Sequence, residues 1–467
     1  MDDAILSKHV QMINGKKPLA NFKMNYDTDE NTLNKKVEVF INNIKDYSKH
    51  LKIVQRNIED DFEVEKFRFT DAGVKILIPS LNEKDSKFLA AIFRNAGMDA
   101  RALDKINDKD YLKGRKYVSG KENRILTLIL GSILNHLEKS DKNSKYVIYI
   151  PEILGMYRLK QIKSLIVEIV KNLGYKNIKV ADIDFEDLDL DFGHTLSKKM
   201  WQAINISDIL EEVKYELHVR ARDRDHAIKM YDEVLHMIEN SLENHGTSDL
   251  LEILKGVVKK LELIELIDSE EYSKVLISGE TYIARMDYFT DKLYKYIENK
   301  KIIFKPLPLS SMLEYKNFVN SIEFDRSEVR EKLRMHAQTF FKNKEEKTIK
   351  AIFKKLESYD VSFVDIENIY NDLDEIFINE FTGESKILVG EILKKLKLGI
   401  SGVLVLGTDG AVDSEYTAKI VDAITHNHIR KLYINLDNDD FKNSDKDNLE
   451  LFLLRIKKNA KRNKSLV

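Results

Sequence analysis

Short apolar runs rich in β-branched residues alternate along this chain with longer stretches in which apolar residues recur at helical spacing. The runs Val74–Ile78 and Tyr146–Ile150 each stop at a proline, Pro79 and Pro151, and a helical pattern follows each of them. A short apolar run that is bounded by proline is typical of a buried strand. Strands separated by helices at this spacing predict a parallel sheet with helical crossover connections.

Residues 61–200 are predicted to form a first α/β lobe, which follows a polar N-terminal helical segment over residues 1–60. Glycine follows two of the predicted helices, at Gly97 and Gly174, where a left-handed residue commonly ends a helix. The predicted elements of this lobe are the strand Val74–Ile78, the helices Glu83–Ala96 and Asn123–Leu137, the strand Tyr146–Ile150, the helix Leu159–Leu173 and the strand Ile178–Ala181.

Residues 201–270 are helical in pattern and predict a bridge to a second α/β lobe over 271–467, which a charged helical insert interrupts at about 321–380. The predicted elements of the second lobe are the strand Val275–Gly279, the helix Tyr288–Glu298, the strand Ile302–Lys305, the helix Lys386–Leu398, the strand Gly402–Gly407, the helix Ser414–His426 and the strand Lys431–Leu436. The predicted fold class is α/β, with two doubly wound, Rossmann-like lobes on separate parallel sheets.

The amino-acid composition argues against some classes of binding partner. Lys and Arg number 76 and Asp and Glu number 78, so there is no overall basic field to hold nucleic acid or an anionic membrane. The first residues do not show the charged and then apolar pattern of a signal peptide, and no apolar run approaches the length of a membrane span. We therefore expect a cytoplasmic protein that binds neither nucleic acid nor membranes.

Three arginines, Arg220, Arg222 and Arg224, alternate with Asp223 and Asp225 within the predicted helical bridge. Placed on one helix, these charges are expected to pair with each other. Binding of a phosphate or of coenzyme A is the alternative interpretation, because arginine suits both ligands.

A series of short segments has an order typical of one protein family. Gly114–Val118 reads Gly-Arg-Lys-Tyr-Val, Pro151 is followed by Gly155–Tyr157, Trp201–Asp223 spans a long helical passage, and Gly410–Ala411 follows a late strand. From about residue 60 onward, this order resembles the 2-hydroxyacyl-CoA dehydratase family, which includes relatives of the benzoyl-CoA reductase and double-cubane-cluster types. The resemblance implies two doubly wound lobes with a cleft between them.

The same resemblance aligns the family's three cluster cysteines with Asn123, Glu152 and Ala411, and this chain contains no cysteine at all. In the family those thiolates would hold an iron–sulfur cluster that delivers an electron to the substrate. An amide and a methyl group do not replace thiolates, and one carboxylate leaves a cluster without its soft donors. We therefore expect no iron–sulfur cluster, no other cofactor and no metal site.

Further polar residues stand at predicted strand ends, where doubly wound folds bind their ligands. The alternative is that the carboxylates among them cap the helices that follow. The loops Ser119–Asn123, Pro151–Gly155, Gly279–Arg285 and Thr408–Ser414 are expected to converge on one cavity between the lobes. The additional candidates for this cleft are Glu280, Arg285, Thr408, Asp409 and Asp413.

Three functions are consistent with these features. The favoured one is a pseudoenzyme, a non-catalytic structural or regulatory subunit that joins a cysteine-bearing member of the family or a second copy of this chain. The second is a module that binds a small ligand such as a CoA thioester in the interlobe cleft. The third is a cluster-free acid–base enzyme that uses Glu152 with Asp409 or Asp413.

Overall fold

The protein is described by a computed structural model. The N-terminal segment 1–60 and most of the predicted insert 321–380 lie outside the described residues. The described ranges are 70–118, 124–150, 157–181, 194–268, 272–297, 300–315, 344–361, 384–396, 398–408, 412–425, 430–436 and 443–464.

The first lobe alternates strands with helices, as the apolar pattern predicts. A long helix, α5, then leads into two further helices. In chain order the elements are β1 (Val74–Ser80), α1 (Glu83–Asn95), β2 (Asp99–Lys105), α2 (Asp108–Gly114), α3 (Arg124–Leu137), β3 (Lys145–Tyr149), α4 (Tyr157–Asn172), β4 (Ile178–Ala181), α5 (His194–Arg220), α6 (Arg224–Asn244) and α7 (Thr247–Leu261).

The second lobe repeats the alternation of strands and helices. Two further helical stretches, 309–315 and 344–353, precede α10. The elements are β5 (Ser273–Gly279), α8 (Thr281–Arg285), α9 (Asp287–Ile297), β6 (Ile302–Pro306), α10 (Glu384–Leu396), β7 (Gly402–Gly407), α11 (Val412–Thr425), β8 (Arg430–Asn435) and α12 (Asn443–Lys464).

Each lobe is built on its own four-stranded parallel sheet. The strand order is β2-β1-β3-β4 in the first lobe and β6-β5-β7-β8 in the second, so the two lobes share one topology. All the pairings within both sheets are parallel. The predicted fold class, two Rossmann-like lobes on separate parallel sheets, is confirmed.

The strand β2 is missing from the sequence prediction. It lies at the edge of the first sheet, and its only buried hydrophobic side chains are Ala100 and Leu103. An edge strand that is half exposed does not need the continuous apolar run by which the central strands were recognised. The sequence pattern therefore identifies the buried strands and misses this exposed one.

Two strands have a proline at or near their end, and one of these prolines, Pro79, was expected to stop β1 but lies within it. Pro79 is inside β1, and Pro306 is the last residue of β6. The pairing of β1 with β2 is irregular between Ile78 and Ser80, which fits a residue that has no N–H to donate. The edge position of β6 accommodates its proline in the same way.

The prediction that three alternating arginines share one helix is wrong. The helix α5 ends at Arg220, and Asp223 is the N-cap of α6, where its side chain accepts a hydrogen bond from the backbone N–H of His226 at 3.0 Å. Arg220 pairs with Glu216 inside the protein. A short polar residue at position 223 favours a new helix start over continuation of the old helix.

Two large apolar clusters hold the elements together. The first contains residues from both sheets, such as Leu77, and it includes Tyr215 of α5. The second lies on the other face of the first sheet, where Ile76 and Ile78 pack with α1, α5, α6 and α7. Side chains of the stretch 344–361 join this second cluster. The helical bridge and part of the insert therefore cover the first lobe.

The helix α5 lies between the two lobes. It packs against α1 of the first lobe and against β6 and α9 of the second. Its buried residues include four carboxylates, Asp208, Glu211, Glu212 and Glu216. A helix that is buried on every side cannot leave its charges in water, so each of these carboxylates requires a partner within the protein.

The backbone at the end of β5 provides a first test of this fold. Gly279 has a φ of 112°, and a Cβ atom added there would lie 2.0 Å from the carbonyl oxygen of Leu406 on β7. We expect Gly279→Ala to lower the free energy of unfolding by about 3 kcal/mol or more, because a left-handed conformation and a steric clash both oppose the methyl group. Urea denaturation measures the change.

Gly399 provides the matched control for this substitution. Its φ is 85°, but a Cβ atom added there would meet nothing within 4 Å. Gly399→Ala should therefore lower the free energy of unfolding by only about 1 kcal/mol, from conformational strain alone. Equal losses for the two variants would contradict the close approach of β5 to β7.

Candidate functional site

The chain segments that follow β1 and β5 meet between the lobes. The backbone N–H of Asp287 donates to the carbonyl oxygen of Leu81 at 3.0 Å. The side-chain amide of Asn82 donates to the carbonyl oxygen of Arg285 at 3.2 Å. We refer to the contacts between residues 81–85 and 285–287 as the interlobe seam. The carboxyl ends of β1 and β5, one inner strand from each sheet, therefore face each other here, and doubly wound folds place their ligands at such strand ends.

Arg285 is the central charge of the interlobe seam, with 6% of its surface exposed. Its guanidinium forms ion pairs with Asp85, at 3.1 Å, and with Asp208, and it donates to the hydroxyl of Ser207 at 3.2 Å. Burial alone would lower the pKa of Arg285, but the carboxylates of Asp85 and Asp208 outweigh burial and raise this pKa. The seam therefore contains a firmly charged arginine.

Both carboxylates that bind Arg285 have further partners. Asp208 accepts hydrogen bonds from the backbone N–H groups of Leu309, at 2.8 Å, and Ser310, at 2.9 Å, where a helical stretch begins after β6. Burial would raise the pKa of Asp85, but the charges of Lys84 and Arg285 hold it well below its usual range. Both carboxylates therefore bind a cation together with further hydrogen-bond donors.

Asp287 joins the second lobe to the start of α1. One of its carboxylate oxygens accepts the backbone N–H of Glu83 at 2.7 Å, and the other accepts from Lys214 of α5 at 3.1 Å. Burial would raise the pKa of Asp287, but Lys214 and Lys105 lower it. A carboxylate near a helix N-terminus also interacts favourably with the helix dipole. Here the carboxylate belongs to the second lobe and the helix to the first.

The strand ends of the second lobe form a separate polar group. The hydroxyl of Thr408, after β7, donates to Glu280, after β5, at 2.8 Å, and the hydroxyl of Thr281 donates to Glu384. The backbone N–H of Glu280 donates to the carbonyl oxygen of Leu406 at 2.9 Å. Hydroxyl groups and carboxylates at this edge therefore bind one another.

The structure brings two of the predicted site residues, Glu280 and Thr408, into direct contact. Arg285 lies at the other end of α8 and instead contacts Asp85 and Asp208. Glu280 occupies the N-cap position of α8 but makes no side-chain capping bond, so the capping alternative is wrong for this residue.

The remaining predicted site residues have no described side chain. Asn123, Glu152, Asp409 and Ala411 lie outside the described residues, and the side chain of Asp413 does as well. The backbone of Asp413 lies inside α11 and not at its N-cap. Convergence of the four strand-end loops on one cavity stays a prediction.

The residues that surround Arg285 were not predicted from the sequence. Lys84, Asp85 and Asp208 stand in helical patterns, where charged residues are usually solvent-exposed. One signal was available, because apolar residues occupy every face of α5, and a helix of that kind is buried. The charges of a buried helix must then meet opposite charges from neighbouring elements.

A second ion cluster lies further along α5. The ammonium group of Lys305, on β6, is 2.8 Å from Glu216 and 3.4 Å from Glu212. Lys395 of α10 approaches Glu212 from another side at 3.2 Å. Burial would lower the pKa of Lys305, but the two glutamates raise it, so this lysine is a charged partner and not a nucleophile.

One buried carboxyl group, that of Glu391 on α10, is less well compensated. The hydroxyl of Ser311 donates to its Oε1 atom at 2.6 Å, and its Oε2 atom has no hydrogen-bond partner among the described residues. Burial raises the pKa of Glu391, against the opposing charge of Lys395. The ionised form of Glu391 therefore opposes folding.

Comparison of this chain with protein-family models, with curated proteins and with solved structures finds no match. Within the described ranges, no three His, Cys, Asp or Glu side chains are grouped as metal ligands would be. None of the described helices is both long enough and apolar enough to cross a membrane.

The pH dependence of stability tests the burial of Glu391. Since its pKa is raised in the folded state, the contribution of Glu391 to the stability of the wild type should fall as the pH rises from about 4.3, the usual glutamate value, through the folded-state pKa. Glu391→Gln cannot ionise, so this variant should be more stable than the wild type at pH 7 and equally stable in acid. Urea denaturation across this pH range measures both.

Asp287→Asn provides a control of opposite sign. The lowered pKa of Asp287 contributes stability that is present above about pH 3.9 and is lost as the pH falls through the folded-state value. This variant should be about 3 kcal/mol less stable than the wild type at pH 7, and the difference should shrink in acid. If the stability of either variant differed from that of the wild type by the same amount at every pH, the assigned charge states would be contradicted.

Proposed function

We propose that this chain is a non-catalytic, two-lobed subunit of the 2-hydroxyacyl-CoA dehydratase type. It has a structural or regulatory role beside a cysteine-bearing partner. The observation that carries the proposal is the interlobe seam, where Arg285 binds Asp85 and Asp208, and Asp287 binds the backbone N–H of Glu83. The shared topology of the two lobes is consistent with the resemblance seen in the sequence.

The charge states at the seam argue against acid–base catalysis by the carboxylates of Asp85 and Asp287. A general acid or base needs a pKa near the working pH and access to a reacting proton. The pKa values of Asp85 and Asp287 are lowered instead, and both carboxylates are committed to cations or backbone N–H groups. Such groups stabilise an assembled structure and are poor proton donors.

The missing thiolates argue against the redox chemistry of the family. No residue type in this chain supplies the sulfur ligand that iron–sulfur clusters require, since its sequence contains no cysteine. We infer that a two-lobed scaffold without these ligands serves by joining other subunits. The proposed partner is therefore a cysteine-bearing protein of the same type, which would hold the cluster.

Anaerobic reconstitution with iron and sulfide tests the cluster-free proposal. After desalting, the protein should contain no stoichiometric iron or acid-labile sulfide, because it offers no thiolate. A cysteine-bearing dehydratase subunit, reconstituted in parallel, provides the positive control. Retention of stoichiometric sulfide by this chain would overturn the proposal.

Affinity purification from the native host, with mass spectrometry of proteins and small molecules, tests the proposed partner. We expect a cysteine-bearing subunit in constant ratio to this chain. Recovery of a CoA thioester without a partner protein would favour the ligand-binding function instead. An added CoA thioester would then raise the melting temperature of the purified chain, as mass action requires.

A further inference from the structure

The two lobes are held together by contacts of two kinds. One apolar cluster contains side chains of both sheets and of α5, and its burial favours association of the lobes. Burial of apolar surface has little directional preference, so it specifies the relative orientation of two lobes only weakly. Ion pairs and hydrogen bonds have defined geometry and are suited to fixing an orientation.

The directional contacts of the seam are concentrated in one short piece of the second lobe. Arg285 reaches Asp85 on α1 and Asp208 on α5, and its carbonyl oxygen accepts from Asn82. Two residues further on, Asp287 binds the first N–H of α1. A single segment therefore contacts the start of a first-lobe helix and the middle of the central helix.

We propose that Arg285 and its partners Asp85 and Asp208 form an interlobe latch that fixes the lobes in one relative orientation. Asp208 also accepts two backbone N–H groups after β6, so it ties Arg285 to a second point of the same lobe. The latch is distinct from the proposed subunit function and does not rest on it. Its role is orientation, while the shared apolar core supplies most of the association.

The alternative role for these ions is a simple contribution to folding stability. Replacing a buried ion cluster by neutral side chains of similar size often leaves stability unchanged or improved, so stability alone is weak grounds for keeping it. Removing Arg285 without changing the carboxylates would leave buried charge uncompensated. A test of orientation must therefore remove the arginine and one carboxylate together.

The absence of cysteine makes a direct distance measurement straightforward. Leu112 on α2 and Tyr416 on α11 are 64% and 54% exposed, and they lie on different lobes away from the latch. Leu112→Cys and Tyr416→Cys together provide two unique sites for spin labels. Double electron–electron resonance then gives the distribution of distances between the two lobes.

In the otherwise wild-type chain, we expect one narrow distance distribution. Adding Arg285→Met and Asp208→Asn removes the latch while keeping side-chain size and local neutrality. This variant should keep its far-UV circular dichroism and its cooperative unfolding but show a second distance or a distribution at least twice as broad. The single substitution Arg285→Met should show the same broadening if it folds.

Arg94→Met is the matched control, because Arg94 pairs with Glu243, at 2.6 Å, and with Glu239 away from the seam. It should leave the distance distribution unchanged. A folded Arg285→Met/Asp208→Asn variant with the wild-type distribution would overturn the latch. Equal broadening by Arg94→Met would overturn it as well, since the effect would then not be specific to the seam.

Discussion

The rest of this structure depends on the neutralisation of carboxylates that are buried on α5. Glu212 and Glu216 meet Lys305 and Lys395 from the second lobe, and Asp208 meets Arg285 from the same lobe. Ionising an isolated carboxylate that is buried this deeply would cost a large free energy. The long helix therefore takes its central position only when cations are in place around it, and the second lobe supplies those that meet Asp208 and Glu212.

Apolar burial and charge pairing have separate roles in this arrangement. One apolar cluster joins the two lobes, and a second joins the helical bridge and part of the insert to the first lobe. The buried ions specify how these parts are oriented, because each ion pair has a single favourable geometry. These separate roles explain why a network of ions lies between the carboxyl ends of β1 and β5. The polar groups at these strand ends hold the lobes in their relative orientation.

Much of the fold could be predicted from the periodicity of apolar residues, whereas many contacts of the site could not. The buried strands β3 and β7 were predicted because their apolar runs are continuous, whereas β2 was missed because half of it is exposed. The contact of Glu280 with Thr408 depends on register across β5 and β7, which local sequence does not specify. Asp85 and Asp208 would be taken for solvent-exposed charges from the sequence, because the spacing of apolar residues does not show which neighbouring element covers a helix.

The coupling between Glu216 and Lys305 tests the central claim most directly. A double-mutant cycle with Glu216→Gln and Lys305→Met, followed by urea denaturation, separates their interaction from the effect of each substitution. If cations of the second lobe neutralise α5, each single variant should lose about 3 kcal/mol or more, and the double variant should lose clearly less than the sum. Losses that add to within about 0.5 kcal/mol would contradict this account.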